Sequence, residues 1–324
     1  MSIVVDEIRQ SAAATGLPKR SLKAFLHGGR LANGKLSGGR DVPPRSLMPS
    51  LTARVITRIA LTIVALYFLL PIIWMLISTT KTDTELATTF GFWFAPTNSI
   101  MANWRSLDAW TQGNFLRWIG NSIFYSTTSA VIGTLISVMA GYAIAKFVFP
   151  GKRVTLGVIM SAMLLPGALL TVPLHALFHQ VGLVNTIWAI IIPSIVSPFG
   201  VFLGTVYAQT SVPTELLEAA RIDGAGELRI FFTMVLRILG PAMVTIFLFI
   251  FVGTWNNFML PLMMISSTEL RPVTLGLFGM MTHHNPHRPA VILGSLLGVL
   301  PLVVIFFGLQ RYWRAGLAAG AVKG

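Results

Sequence analysis

The chain has 324 residues, of which 54% are hydrophobic and only 11% charged, and it carries a net charge of +13. Soluble domains run at about 25% charged residues, so this composition excludes an ordinary water-soluble globule. There is no cysteine, which excludes disulfides, thiolate metal sites and a cysteine nucleophile.

Residues 1–50 are polar, basic and rich in Gly. No apolar run follows the start, so the segment reads as a mostly flexible basic tail and not as a cleavable signal peptide. A short helix is expected around Ser21 to His27. Gly29 to Leu36, "GRLANGKL", approaches a phosphate-binding loop, but Leu36 stands where that loop needs Ser or Thr to hold magnesium. No buried strand pattern precedes it and no helix pattern follows, so it reads as part of the Gly-rich tail. The chain is expected to lack its own ATPase. Attraction to anionic lipid headgroups accounts for the basic tail, and no nucleic-acid partner is expected.

Six apolar segments follow, at about 55–78, 121–145, 154–177, 186–208, 240–264 and 289–310. Each is long enough for a tilted transmembrane helix. The expected fold is therefore all-α and polytopic, with six transmembrane helices at 55–324 and a basic cytoplasmic tail at 1–54. Pro166, Pro173, Pro193, Pro198, Pro261 and Pro301 are expected to kink these helices. With the N-terminus in the cytoplasm, only Lys81, Arg105, Arg117, Arg271 and Arg288 of the 24 Lys and Arg fall outside. The positive-inside rule favours that orientation, with both ends cytoplasmic.

Between the spans, the segment 90–118 is aromatic, with Phe92, Trp93, Phe94, Trp104, Trp110, Phe115 and Trp118. Enrichment at the membrane interface is the default reading, and stacking on sugars the alternative. Ser126, Thr127, Thr128 and Ser129 are read as interhelical packing groups. Asn256 and Asn257, beside Trp255, could line a solute pathway or hydrogen-bond between helices. His283, His284 and His287 form a cluster, but Pro286 interrupts helical spacing and no fourth ligand is near. Contact with an extracellular protein is preferred there, and no metal or cofactor is expected.

One stretch breaks the apolar pattern. "ELLEAARIDGAGELRIFF", residues 215–232, carries Glu215, Glu218, Arg221, Asp223, Glu227 and Arg229 between spans four and five. Thr214 is the expected N-cap of a short helix, with Glu215 and Glu218 in its first turn. Leu216, Leu217, Ala220 and Ile222 would form its apolar side, and Gly224 and Gly226 would stop or bend it. A second helix from Glu227 to Leu239 would lay Ile230, Phe231, Met234 and Ile238 on the bundle. Periodicity alone leaves an ordinary charged surface helix as a reading of equal weight.

The stretch resembles the EAA motif of ATP-binding-cassette (ABC) importer permeases. Glu218, Ala219, Ala220, Gly224 and Leu236 match the motif, Met234 replaces its Ile, and Arg237 stands where it usually has Pro, with Pro241 following. "YAIAKFVFPGKR", "VPTELLEAARIDGA", "GTWNNFMLPL" and "QRYWRAGLAAGAVKG" are similar to MalG-type carbohydrate permeases, from about residue 55 to the end. This resemblance implies a type I importer permease fold and a non-enzymatic subunit that moves a sugar or related polyol. The segment at about 211–241 would be its coupling loop, in which Glu218, Ala219, Ala220, Asp223 and Gly224 meet a separate ATPase. It also implies a second permease subunit, two cytoplasmic ATPase subunits and an extracellular solute-binding protein. A non-sugar solute and a secondary transporter are the alternatives. The absence of ionisable residues deep in the spans counts against proton coupling, and no catalytic arrangement is seen within them.

Overall fold

The computed structural model describes residues 31–32, 35–36, 50–281 and 287–320, with side chains at 50–281 and 287–310. The chain divides into two units, Met1–Leu70 and Pro71–Gly324. The first holds a two-residue antiparallel ladder, β1 (Leu31–Ala32) with β2 (Lys35–Leu36), paired Leu31 to Leu36 and Ala32 to Lys35. That hairpin lies within the segment expected to be a mostly flexible basic tail. Asn33-Gly34 separates its strands in sequence, a pair favoured in two-residue hairpin loops. A phosphate-binding loop runs from strand to helix, so a hairpin here is a different structure. The expected helix at Ser21 to His27 lies outside the described residues.

The other described elements are helices. In order they are α1 (Leu51–Ser78), α2 (Asp83–Thr88), α3 (Ile100–Trp110), α4 (Phe115–Lys146), α5 (Lys152–Ala162), α6 (Gly167–Gln180) and α7 (Trp188–Ile195). There follow α8 (Pro198–Ser211), α9 (Thr214–Ile222), α10 (Glu227–Ile238), α11 (Gly240–Trp255), α12 (Met259–Met264), α13 (Val273–Met281) and α14 (Arg288–Gly320).

Among the described residues, four stretches are long and apolar enough to cross a membrane: Leu51–Ser78, Phe115–Lys146, Trp188–Ser211 and Arg288–Gln310. Two further pairs pass only together. α5 and α6 bend by 102°, and α10 and α11 by 82°, so six crossings result if each pair is one span. The expected continuous third span is thus two helices. Pro166, in extended backbone, is the N-cap of α6, and Pro198 occupies the first position of α8. Both start helices, where proline's missing N–H costs nothing, instead of kinking them. Pro71, Pro173, Pro193 and Pro301 do lie inside helices.

α4 organises Pro71–Gly324. Lipid supplies no hydrophobic drive for helix association, so small residues that let backbones approach take over. A Cβ on Gly141 would lie 2.5 Å from Gly204 C and Thr205 N, and one on Gly133 would lie 2.7 Å from Ile195 O. Gly200 and Gly204 of α8 face Ser137 in the same way. The expected packing role of the Ser/Thr run agrees with burial of Ser126 and Ser129 on this helix.

The other end of α4 grips a loop. At i, i+3, i+4 and i+7 on one face, Trp118 Nε1 donates to Thr268 O (2.8 Å) and Asn121 Nδ2 to Glu269 O (2.7 Å). Ser122 Oγ accepts from Val273 N (2.8 Å), and Tyr125 OH donates to Leu270 O (3.0 Å). The expected aromatic segment splits accordingly. Phe115 and Trp118 are core residues, with Trp104 edge-on to Phe115, whereas Trp93 and Phe94 are exposed. His287 Nδ1 lies 3.8 Å from Asp83 Oδ2, and His283 and His284 lie outside the described residues.

Overpacking a close contact costs about 1–3 kcal/mol. Gly141→Ala should therefore lower the thermal midpoint and folded yield of the purified protein. Gly120→Ala, also in α4 but with open space around its Cβ, should leave both unchanged.

Candidate coupling loop and pathway residues

The charged loop begins at Pro213, whose extended backbone (φ −66°, ψ 136°) makes it the N-cap of α9. Thr214, the expected cap, is the first helical residue, and its Oγ1 accepts instead from Lys146 Nζ at 3.5 Å. Two residues seat α9 on the bundle: Leu217, 1% exposed, and Ala220, 8% exposed. Ile222 is exposed, contrary to its expected place on the apolar side. Glu215, Glu218, Ala219 and Asp223 are exposed too. The two alanines of the motif therefore face opposite ways, Ala220 into the protein and Ala219 into solvent.

The helix ends in a Schellman turn. Ala225 N donates to Ala220 O (2.9 Å) and Gly224 N to Arg221 O (3.0 Å), with Gly224 at φ +80°. That left-handed conformation is easy only for glycine. Gly226 has an ordinary φ of −71° and caps α10, so only one of the two expected glycine positions requires glycine.

Across this turn Arg221 Nε meets Glu227 Oε1 at 2.6 Å, and the guanidinium lies 5.8 Å from the Phe147 ring centroid. The hydrogen bond from Arg221 to Glu227 raises the guanidinium pKa. An exposed pair of this kind contributes only about 0.2–1 kcal/mol, so it orients the turn more than it stabilises it. Phe147 packs edge-on to Tyr142, which also meets Phe231. The end of α4 is thus the seat of the loop. Residue periodicity missed this latch: Arg221 and Glu227 are six apart across a turn, and Phe147 lies just past the end of α4.

Residues Phe231–Val235 of α10 form a π-helical segment. A π turn takes more residues than an α turn, so the buried face moves on by one. Ile230 and Phe231 are buried as expected, but Val235 and Leu239 replace Met234 and Ile238, which are half-buried. The 82° bend then falls at Leu239, and Pro241 sits in the first turn of α11. Along α11 the rings of Phe247, Phe251 and Trp255 stack at i, i+4 and i+8, with centroids 5.9 and 5.8 Å apart.

α11 ends at Asn256, its exposed C-cap. Asn257 is half-buried, and its Oδ1 accepts from Leu260 N at 3.3 Å, which starts α12. The two asparagines thus occupy a helix break at the far end of α11 from the charged loop. They are not brought together with Glu218, Ala219, Ala220, Asp223 and Gly224, which form one turn-terminated unit.

The chain belongs to the family of binding-protein-dependent transport system inner membrane components, whose model matches residues 133–318. It is 36% identical over 212 residues to the arabinooligosaccharides transport system permease protein AraQ of Halalkalibacterium halodurans, covering 65% of this chain and 76% of that one. It is 31% identical over 266 residues to the lactose transport system permease protein LacG of Rhizobium radiobacter, covering 81% and 94%. Its fold resembles a chain of a bacterial ABC transporter involved in the import of the acidic polysaccharide alginate. There the TM-score is 0.70 at 22% identity, over 82% of this chain and 99% of that one. As a family member the chain is a multi-pass transport subunit of a prokaryotic plasma membrane and not itself an enzyme.

A left-handed backbone costs a residue with a Cβ about 1–2 kcal/mol. Gly224→Val should disturb the turn, while Gly226→Ala should not. Protease nicking at 223–227 in purified membranes should rise for the first variant and stay at the wild-type level for the second.

Proposed function

We propose that this chain is the permease subunit of an ATP-driven sugar importer and that α9 couples it to a separate ATPase. One observation carries the coupling reading. α9 is bolted to the bundle on one side by Leu217 and Ala220 and stopped by the Gly224 turn, while Glu218, Ala219 and Asp223 stay exposed. A helix held so can pass a push from a cytoplasmic partner into α4 and α11 without bending. Oligosaccharide transport by the relatives supports a sugar as solute, and hydroxyl-rich solutes suit amide groups such as Asn256 and Asn257 in a pathway.

The partners in this reading are a second permease subunit, two cytoplasmic ATPase subunits and an extracellular solute-binding protein. Large exposed apolar residues on α5 and α6, among them Val154, Val158, Leu169 and Val172, leave a face for lipid and the second permease. In this reading the permease domain begins with α1 at Leu51, the segment before it lies in the cytoplasm, and both ends are inside.

Exposed substitutions usually change stability by less than about 0.5 kcal/mol. Glu218→Lys should therefore reach wild-type abundance yet abolish sugar uptake, with ATP hydrolysis no longer stimulated by solute. Wild-type uptake in that variant would refute the coupling role. Uptake in wild-type cells should stop on ATP depletion and survive collapse of the proton and sodium gradients.

Orientation is tested separately, because the chain has no cysteine of its own. Glu269→Cys should react with an impermeant thiol reagent in intact cells, and Arg153→Cys only after the membrane is opened. The reverse pattern would invert the topology.

A further inference from the structure

The loop between α2 and α3 turns four aromatic side chains outward: Phe90, Phe92, Trp93 and Phe94 are 73%, 40%, 72% and 61% exposed. Its backbone is pinned at both ends. Lys81, wholly buried, donates from Nζ to Thr89 Oγ1 and Phe90 O, each at 2.8 Å. Phe90 O also accepts from Trp93 N at 3.2 Å, closing a turn. On the far side Thr97 Oγ1 donates to Glu85 Oε1 at 2.6 Å, and Glu85 itself completes the capping box of α2 with Thr82. Ser99 N donates to Thr80 O at 2.8 Å. These bonds fix the loop's two ends and its turn within the protein, and its aromatic faces are turned outward.

The depth of the loop is readable as well. A Cβ on Gly91 would lie 3.2 Å from Trp74 Nε1, so the loop backbone lies against Trp74. That residue is four positions inside the end of α1 at Ser78, about 6 Å along the axis at 1.5 Å per residue. Ile72, Ile73 and Leu76 beside it are exposed and apolar. The aromatic loop is therefore continuous with the apolar surface of a spanning helix near its exit from the bilayer. Phe and Trp at that level suit the headgroup and upper acyl region, where amphipathic and aromatic side chains partition.

We propose that residues 90–94 are a membrane-interface anchor, seated in the lipid headgroup and upper acyl layer and held at that depth by the buried Lys81 as a positioning residue. The burial of Lys81 is then understandable. A buried ammonium group is costly unless it is paired or hydrogen-bonded, and here two of its three N–H donors are taken by the loop it fixes. This inference rests on α1 spanning the membrane. It does not depend on the sugar or coupling assignments.

The test uses the full chain, purified with its bound subunits and reconstituted in vesicles of phosphatidylethanolamine and phosphatidylglycerol. An environment-sensitive fluorophore is attached at Trp93→Cys, and at Glu269→Cys as the aqueous control. The Trp93 label should show blue-shifted emission and be quenched by lipids carrying a nitroxide at the fifth acyl carbon, with little quenching by iodide. The Glu269 label should show the reverse. Quenching of the Trp93 label by iodide alone would make the loop aqueous. Protection from both quenchers would make it a protein contact, and either result overturns the proposal. Lys81→Met should shift the Trp93 label from lipid quenching toward iodide. Should that variant not fold, the label in the wild-type background decides the question alone.

Discussion

Backbone contact between α4 and α8 is the constraint on which the rest of Pro71–Gly324 depends. In lipid the two helices gain nothing from burying leucine, so their association rests on close packing. Gly141 against Gly204 permits that approach, and Gly133 admits Ile195 O at the end of α7 in the same way. Once α4 is fixed, its two ends have set tasks. One end presents Trp118, Asn121, Ser122 and Tyr125 to the 268–273 backbone. The other presents Tyr142, Lys146 and Phe147 to the charged loop.

The charged loop reads differently in this setting from an isolated amphipathic segment. It is a short helix, a glycine turn and a second helix, all resting on Leu217, Ala220, Ile230, Phe231, Val235 and Leu239. The sharp bend into α11 lies at Leu239, which is 1% exposed, beside Ala242 at 0%. A bend so packed is a fixed elbow and not a loose hinge, since rotation there would open voids in a close-packed interior. The stacked rings of Phe247, Phe251 and Trp255 carry the same stiffness on toward Asn256. In the proposed function, a displacement at α9 reaches the helix break at Asn256 and Asn257 through rigid parts.

Much of this was legible in the sequence because a membrane imposes simple rules. Apolar runs near the bilayer's thickness and the asymmetry of Lys and Arg are visible without a structure. The charged loop stood out for the same reason. What escaped were features set by neighbours. Pro166 looked like a kink, yet whether a proline bends or begins a helix depends on the chain's path, and here α5 and α6 turn by 102°. Ile222 looked like an inward residue, because nine residues of helix are too few to fix which face is buried. The π segment at Phe231–Val235 shifted the expected inward positions by one. Lys81 looked like an ordinary extracellular charge until the structure buried it. Asn256 and Asn257 were noticed by resemblance, and their place at the break between α11 and α12 needed the structure.

In the proposed function Ala220 seats the loop, buried, while the exposed Ala219 meets the ATPase. Single cysteines at these positions test it in opened membranes, by labelling rate with a maleimide reagent, with and without the ATPase subunits. Ala219→Cys should label fast without the ATPase and be protected when it is present, while Ala220→Cys should label slowly in both states. Equal labelling of Ala219→Cys with and without the ATPase would contradict the account.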